Sequence, residues 1–340
     1  MESHILSNTA VALLVAGLAG LALAVRRSRM WSDAFAEIWH RRRLALCVIG
    51  GYVLIALLDS VAWVGGLEAG QDAVAQHQAQ SVIDRLFADS QERSYSAPLA
   101  DAEFYGGAPL RRPGQHLLGT DLIGRDVLYL SLKGARVALL IGGLTSLFAI
   151  PLALLFGVPA GYFGGRLDDV VFFVMSTLAS MPGLLLLIAL IMVLGKSTLA
   201  ICFALAVTGW VGFCRVSRAE TLKLRELEYV SAARALGVSQ GRILMRHILP
   251  NLMHLVIITF VLMFSGLVLS EAILSWLGIG VDGSWGQMID QARNELSRDP
   301  VVWWNVAAAG GALFGLILAV NFVGDALRDT LDPRTVREAE

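Results

Sequence analysis

The sequence predicts an all-α integral membrane protein, and three observations carry that prediction. Of its 340 residues 56% are hydrophobic and only 16% are charged, whereas soluble domains carry about a quarter charged residues. The apolar residues gather into runs of about 20, the length an α-helix needs to cross a bilayer core. Lys and Arg crowd some of the connecting loops and avoid others, which is the asymmetry that orients membrane helices. Cys47, Cys202 and Cys214 all lie in apolar runs without CxxC spacing, so neither a disulfide framework nor a metal site is expected.

The first run, residues 8–25, has Glu2 and His4 before it and Arg26, Arg27 and Arg29 after it. A secretory signal carries its positive charge first, so residues 1–30 are read as an extra N-terminal anchor that starts outside. In "SDAFAEIWHRRR", Phe35, Ile38 and Trp39 share one helical face ahead of Arg41 to Arg43, which makes an interfacial helix on the basic side. Further spans are expected at 44–66, 134–160, 168–194, 198–217, 253–278 and 301–324. The basic regions are Arg41 to Arg43, the cluster after Arg215, and Arg328, Arg334 and Arg337. They fall on one side, read as cytoplasmic.

Segments 67–133 and 279–300 then lie outside. The longer one opens Gln-rich ("QDAVAQHQAQ") and holds turn signals in "YGGAPLRRPG", which fits a small capping domain or an extended loop equally. Residues 31–133 thus hold the interfacial helix, one span and the long extracytoplasmic segment. Residues 134–324 hold the core transmembrane domain with its basic loop 218–252, and 325–340 form a cytoplasmic tail.

Gly157, Gly161 and Gly165 recur at spacing four, as do Gly311 and Gly315; small residues so spaced let helix backbones approach closely in lipid. Pro151, Pro159 and Pro182 are expected to kink their spans. Ordinary bundle packing and a moving pathway both use such features. Glu271 lies well inside a span, where an ionisable group is costly. It is read either as a hydrogen-bonding anchor or, with Pro182, as part of a pathway. Asp168 and Asp169 open a span and suit helix-start carboxylates.

Two motif matches fail on context. "GIGVDG", Gly278 to Gly283, satisfies G-x-G-x-x-G but follows a membrane helix instead of opening one inside a βαβ unit. "GKST", Gly195 to Thr198, would need a glycine where Leu190 stands. His4, His40, His77, His116, His247 and His254 are dispersed without ligand spacing. No catalytic residue, metal ligand or nucleotide site is assigned to the chain.

The basic loop contains "SAARALGVSQGRILMRHILP", Ser231 to Pro250. Tyr229, Ala232, Ala233 and Leu236 recur at helical spacing from Glu228 onward. Gly237 suits the left-handed residue after that helix. Ser239 is placed to cap a second short helix with the stripe Ile243, Leu244, His247 and Ile248, ended by Pro250. Such a knob, carrying Arg234, Arg242 and Arg246, fits an amphipathic loop lying on lipid or a docking element for a cytosolic partner.

These residues resemble the cytoplasmic loop of binding-protein-dependent ABC importer permeases, whose pattern is E-A-A, three residues, Gly, nine residues, then I-x-L-P. Ala232, Ala233, Gly237, Leu249 and Pro250 match it, while Ser231 stands in place of Glu and His247 in place of Ile. A second block, "HLLGTDLIGRDVLYLSLKGAR", is similar to a motif of the dipeptide, oligopeptide and nickel branch. It matches at His116, Gly119, Thr120, Asp121, Gly124, Arg125 and Asp126, with Leu117 replacing a proline.

The resemblance implies a permease bundle of six spans, here with one more at the N-terminus, in a bacterial-type inner membrane. It also implies a homologous second permease, two cytosolic ATPase subunits that hold ATP and Mg, and an extracytoplasmic substrate-binding protein. Membrane lipid is a partner and nucleic acid is not. Peptides, peptide antibiotics and nickel chelates are the implied cargoes. The rival classes are an ion-gradient-driven secondary transporter or channel using Glu271, and a membrane-anchored sensor.

Overall fold

The computed structural model describes residues 8, 29–63, 80–88 and 90–331. The first expected span apart from Asn8, the Gln-rich stretch and the tail beyond residue 331 lie outside them, as do the side chains of residues 29–38.

Every long element is a helix. α1 (Arg29–Ser60) is followed by two-residue strands β1 (Ala62–Trp63) and β2 (Gln80–Ser81), then α2 (Val82–Leu86) and α3 (Val127–Phe163). Next come α4 (Gly165–Ser180), α5 (Gly183–Leu194), α6 (Thr198–Leu224), α7 (Glu228–Ala235) and α8 (Gln240–Ile243). A π turn (Leu244–Ile248) leads into α9 (Leu249–Trp276), then α10 (Trp285–Glu295) and α11 (Trp304–Leu331). β1 and β2 pair antiparallel, Ala62 with Ser81 and Trp63 with Gln80. Five described helices are long and apolar enough to cross a bilayer, and six spans result if the bent pair α4 and α5 counts as one.

Pro182 does kink its span, as expected: residues 168–194 fall in two helices meeting at 93°. Met181 is extended (φ −86, ψ 139) because a residue before proline is pushed out of the α region, and Pro182 then starts α5 without needing an N–H bond. Pro151 and Pro159, by contrast, lie inside an unbroken α3.

Pro250 does not end a short second helix. α8, the π turn and α9 form one path of 37 residues from Gln240 to Trp276. In the π turn Leu249 N–H donates to Leu244 O, and this wider turn makes room for the proline ring that would otherwise meet the Arg246 carbonyl. The interfacial helix and the next span adjoin as expected: α1 is two helices joined at a kink, where Arg42 is non-helical (φ −134, ψ 33).

The chain forms two compact units, Met1–Leu139 with Glu271–Glu340, and Leu140–Ser270. In the first, α1 packs along α11, where Tyr52 Oη donates to Ala312 O at 2.8 Å. A Cβ on Gly315 would lie only 3.0 Å from that hydroxyl, so the small residue allows the approach. α10, within the segment 279–300 read as lying outside, buries Trp285, Met288 and Ala292.

In the second unit the glycine spacing does what lipid packing asks of it. A Cβ on Gly157 would sit 2.7 Å from Cys214 O, and one on Gly161 2.6 Å from Arg218 O, so α3 and α6 touch backbone to backbone. Ala149, Ala153, Ala160, Trp210, Phe213 and Cys214 form the core beside this seam. Asp168 does lie in the first turn of α4, and Arg218 of α6 also donates to both of its oxygens.

Candidate functional site

The basic loop folds as a compact knob in the second unit. α7 ends in a Schellman corner: Val238 N–H donates to Ala233 O and Gly237 N–H to Arg234 O, both at 3.1 Å. Gly237 has φ +79, the left-handed conformation that glycine adopts at no steric cost. Ser239 occupies the N-cap of α8 in extended conformation, but its hydroxyl makes no capping bond.

The knob is fastened by its inner face. Val230, Ala233, Ile243, Ile248 and Leu252 are buried against Val158 and Tyr162 of α3. Tyr162 Oη donates to Gln240 Oε1, and the Arg234 guanidinium stacks 5.6 Å from the Tyr162 ring centre. Arg225 Nη1 donates to Gly161 O at 3.0 Å. Between the two limbs, Asn251 Nδ2 donates to His247 O (2.6 Å) and Tyr229 Oη (3.3 Å). Tyr229 and His247 rings lie 6.1 Å apart.

The stripe expected from spacing divides. Ala233 points inward, beside fully buried Val230, whereas Tyr229, Ala232 and Leu236 face out. Leu236 is 84% exposed and Met245 70%, so the outer surface of the knob is apolar. Around it Glu228, Ser231, Arg234, Gly237, Arg242, Arg246 and Pro250 are exposed, and His247 and Leu249 are half-buried.

The second block lies in the first unit and is a tightly bonded loop ahead of α3. His116 is buried between two carboxylates, with Nδ1 2.9 Å from Asp126 Oδ2 and Nε2 3.4 Å from Glu92 Oε1. Asp126 Oδ1 accepts from Leu128 N–H at 2.8 Å, capping α3. Thr120 Oγ1 accepts from Ser96 N–H (2.6 Å) and donates to Ser94 O (2.8 Å). Asp121 accepts from the Ile123 and Arg125 amides and from Arg125 Nε at 2.9 Å.

The block's glycines are required by geometry. Gly119 and Gly124 have φ +73 and +76; a Cβ on the first would meet Ser96 O and the Trp304 ring, and one on the second the Glu92 carbonyl. Burial opposes ionisation of Glu92, but the Arg111 and Arg112 amides and His116 outweigh it and hold its carboxyl below the usual range.

Several structural partners of this block escape local reading. Glu92 stands 24 residues before His116, and Trp304 Nε1 donates to Thr120 O across 184 residues at 2.9 Å. Buried Glu295 accepts from Tyr95 Oη at 3.1 Å and Asn305 Nδ2 at 3.2 Å, and its burial pushes its pKa up. No sequence motif signals these residues.

The two pathway candidates separate as well. Pro182 sits at the α4–α5 break. Glu271 is 2% exposed and accepts from Ser275 Oγ, which in turn accepts from Ser284 Oγ at 2.9 Å. Among the described residues no cluster of His, Cys, Asp and Glu is arranged to hold a metal ion.

Residues 153–337 match the family model described as binding-protein-dependent transport system inner membrane component. The oligopeptide transport system permease protein OppC of Bacillus subtilis is 35% identical over 64% of this chain and 72% of its own length. The dipeptide transport system permease protein DppC of the same organism is 34% identical over 65% and 70%. The glutathione transport system permease protein GsiD of Pectobacterium atrosepticum is 33% identical over 64% and 73%. A solved inward-facing MetNI methionine ABC transporter aligns with a TM-score of 0.49 and 19% identity, over 60% of this chain and 97% of that one.

Proposed function

Because the chain belongs to the family of binding-protein-dependent transport system inner membrane components, it is a non-catalytic membrane subunit of an ABC importer, and we propose that it conducts peptides or peptide-like solutes. The oligopeptide, dipeptide and glutathione permeases among its relatives support that cargo class; nickel chelates belong to the same proposal through the resemblance of the outer block. In this reading the chain pairs with a homologous permease, receives cargo from an extracytoplasmic binding protein and is driven by two ATPase subunits that hold ATP and Mg. The tail and the 218–252 loop face the cytoplasm, in line with their Lys and Arg content.

The observation that carries the coupling role is the outward apolar surface of the knob. Tyr229, Ala232 and Leu236 stand out of a corner whose inner residues are anchored to α3. A leucine left 84% exposed has about 1.5–3 kcal/mol to gain from burial in a partner's groove. With Ser231 where the pattern has an acid, docking relies on shape and on Glu228 one turn earlier, while Arg234, Arg242 and Arg246 contact acidic groups or the lipid surface. Movement of the ATPase pair then pulls the knob, and through α8 and the π turn the pull reaches α9 without an intervening loop.

Leu236→Asp tests this. The side chain is exposed, so the permease itself is expected to fold and insert, while copurification of the ATPase and peptide uptake are lost together. Retention of both would remove the docking role. Uptake that persists without any ATPase and collapses with the ion gradient would favour the secondary-transporter reading.

A further inference from the structure

The knob's flank carries a feature that docking does not use. A groove of about 330 Å³ opens between α3 and the π turn. Pro151, Leu154, Leu155 and Val158 form one wall, and Met245 and Leu249 belong to the other. Its lining is apolar throughout, with Val158 buried at its base and Leu155 (65%) and Met245 (70%) exposed at its rim. Both walls belong to helices long and apolar enough to lie in a bilayer. A dry apolar groove in that setting is filled by hydrocarbon, not by water.

Charge identifies the occupant further. Arg246 follows Met245 directly and Arg242 precedes it by three residues. Both are exposed, and neither has an ion-pair partner among the described residues. Two exposed arginines, close in sequence to the groove residue Met245 and at the basic end of a span, are the chemistry that recognises a phosphate ester attached to an acyl chain.

We infer that this groove is a binding site for one anionic phospholipid, its acyl chain lying between Leu155 and Met245 and its phosphate held by Arg242 and Arg246. Each buried methylene multiplies affinity by roughly four, and each arginine beside an anionic headgroup by about five. The site lies against the π turn that joins the knob to α9, so a bound lipid braces that turn. The inference goes beyond the docking reading and does not depend on it, since lipid retention is read without ATP or uptake.

The test uses the full chain, copurified with its partner subunits from bilayers of phosphatidylcholine and phosphatidylglycerol. Native mass spectrometry counts the lipids that survive mild detergent. Phosphatidylglycerol is expected in excess on the wild type. Replacing both arginines (Arg242→Gln with Arg246→Gln) lowers its preference over phosphatidylcholine by about 25-fold, while Leu155→Trp, which fills the groove, removes both lipids. A photo-crosslinking residue at exposed Met245 is expected to capture lipid. Equal retention of the two lipids by the wild type, an unchanged preference in the arginine variant, or crosslinking of position 245 to a second permease would each overturn the inference.

Discussion

The corner at Gly237 allows backbone strain to be separated from bulk. Its φ of +79 is one that L side chains rarely adopt, yet a Cβ there would meet nothing within 4 Å. Gly237→Ala therefore introduces no clash inside the chain and only the cost of a left-handed alanine, about 1–2 kcal/mol. The corner holds two hydrogen bonds, Val238 to Ala233 and Gly237 to Arg234, each worth about 0.5–1.5 kcal/mol net, so the strain is comparable to what maintains it. The population of intact corners is then expected to fall about 5- to 30-fold. Asn, which tolerates the left-handed region, is expected to keep most of it, and Val to be at least as damaging as Ala. Hydrogen exchange at the 237 and 238 amides reads the corner directly, and ATPase copurification reads docking on the same samples. Ala, Asn and Val variants that all exchange and copurify like wild type would refute the reasoning. An intact corner in Asn with lost docking would instead place the partner's wall against position 237.

The other predictions concern charge, packing and a buried acid. Glu228→Ala is expected to weaken ATPase association up to about fivefold, the range of an exposed ion pair, while Ser231→Ala leaves it unchanged; equal tolerance would remove Glu228 from docking. Gly157→Ala, whose Cβ would sit 2.7 Å from Cys214 O, is expected to cost about 1–3 kcal/mol by overpacking and lower the melting temperature in detergent, whereas Gly143→Ala, with nothing within 4 Å, does not. Glu295 has its pKa raised above 4.5, chiefly by burial, so the folded state binds its proton more tightly and stability falls as pH rises from the unfolded value through the folded one. Glu295→Gln removes that fall and offers an N–H to Asn305 Oδ1, which lacks a partner; a gain of about 1–3 kcal/mol at neutral pH is expected, and a loss measured by thermal unfolding would mean that the carboxylate is needed ionised.

The features legible in the sequence are those set by neighbours along the chain. The approximate spans follow from apolar length, the Gly157–Gly161 seam from spacing, and the Gly237 corner from a single residue type after a helical stretch. Two local rules led elsewhere because tertiary geometry offered a second solution. Pro250 reads as a stop, but a π turn accommodates the ring and lets α9 continue from α8. Tyr229, Ala232, Ala233 and Leu236 read as one stripe, but the fold divides it: Ala233 turns inward beside Val230, and the other three face out. The network at His116 was half visible. Its motif residues are close in sequence, but Glu92 and Trp304 come from 24 and 184 positions away, separations at which residue periodicity carries no information.

Glu271 bears on where the driving force enters. A carboxyl that couples an ion gradient must exchange partners and meet water during the cycle. Here it is 2% exposed, and it accepts from Ser275 Oγ, one turn along its own helix. The turn that follows α9 has little freedom: Ser284 Oγ donates to Ser275 Oγ at 2.9 Å, and a Cβ on Gly286 would lie 2.7 Å from Ala272 Cα. Releasing Glu271 therefore means dismantling the junction of α9 and α10, and leaving its hydrogen-bonding groups unpaired when buried costs about 1–3 kcal/mol each. The knob presents the opposite arrangement: Val230 and Ala233 anchor it inward while Tyr229, Ala232 and Leu236 stand exposed, so contact with the outer side chains leaves the inner anchor intact. The helical path from Gln240 to Trp276 runs on from the knob, and Glu271 lies near its far end, already committed to structure.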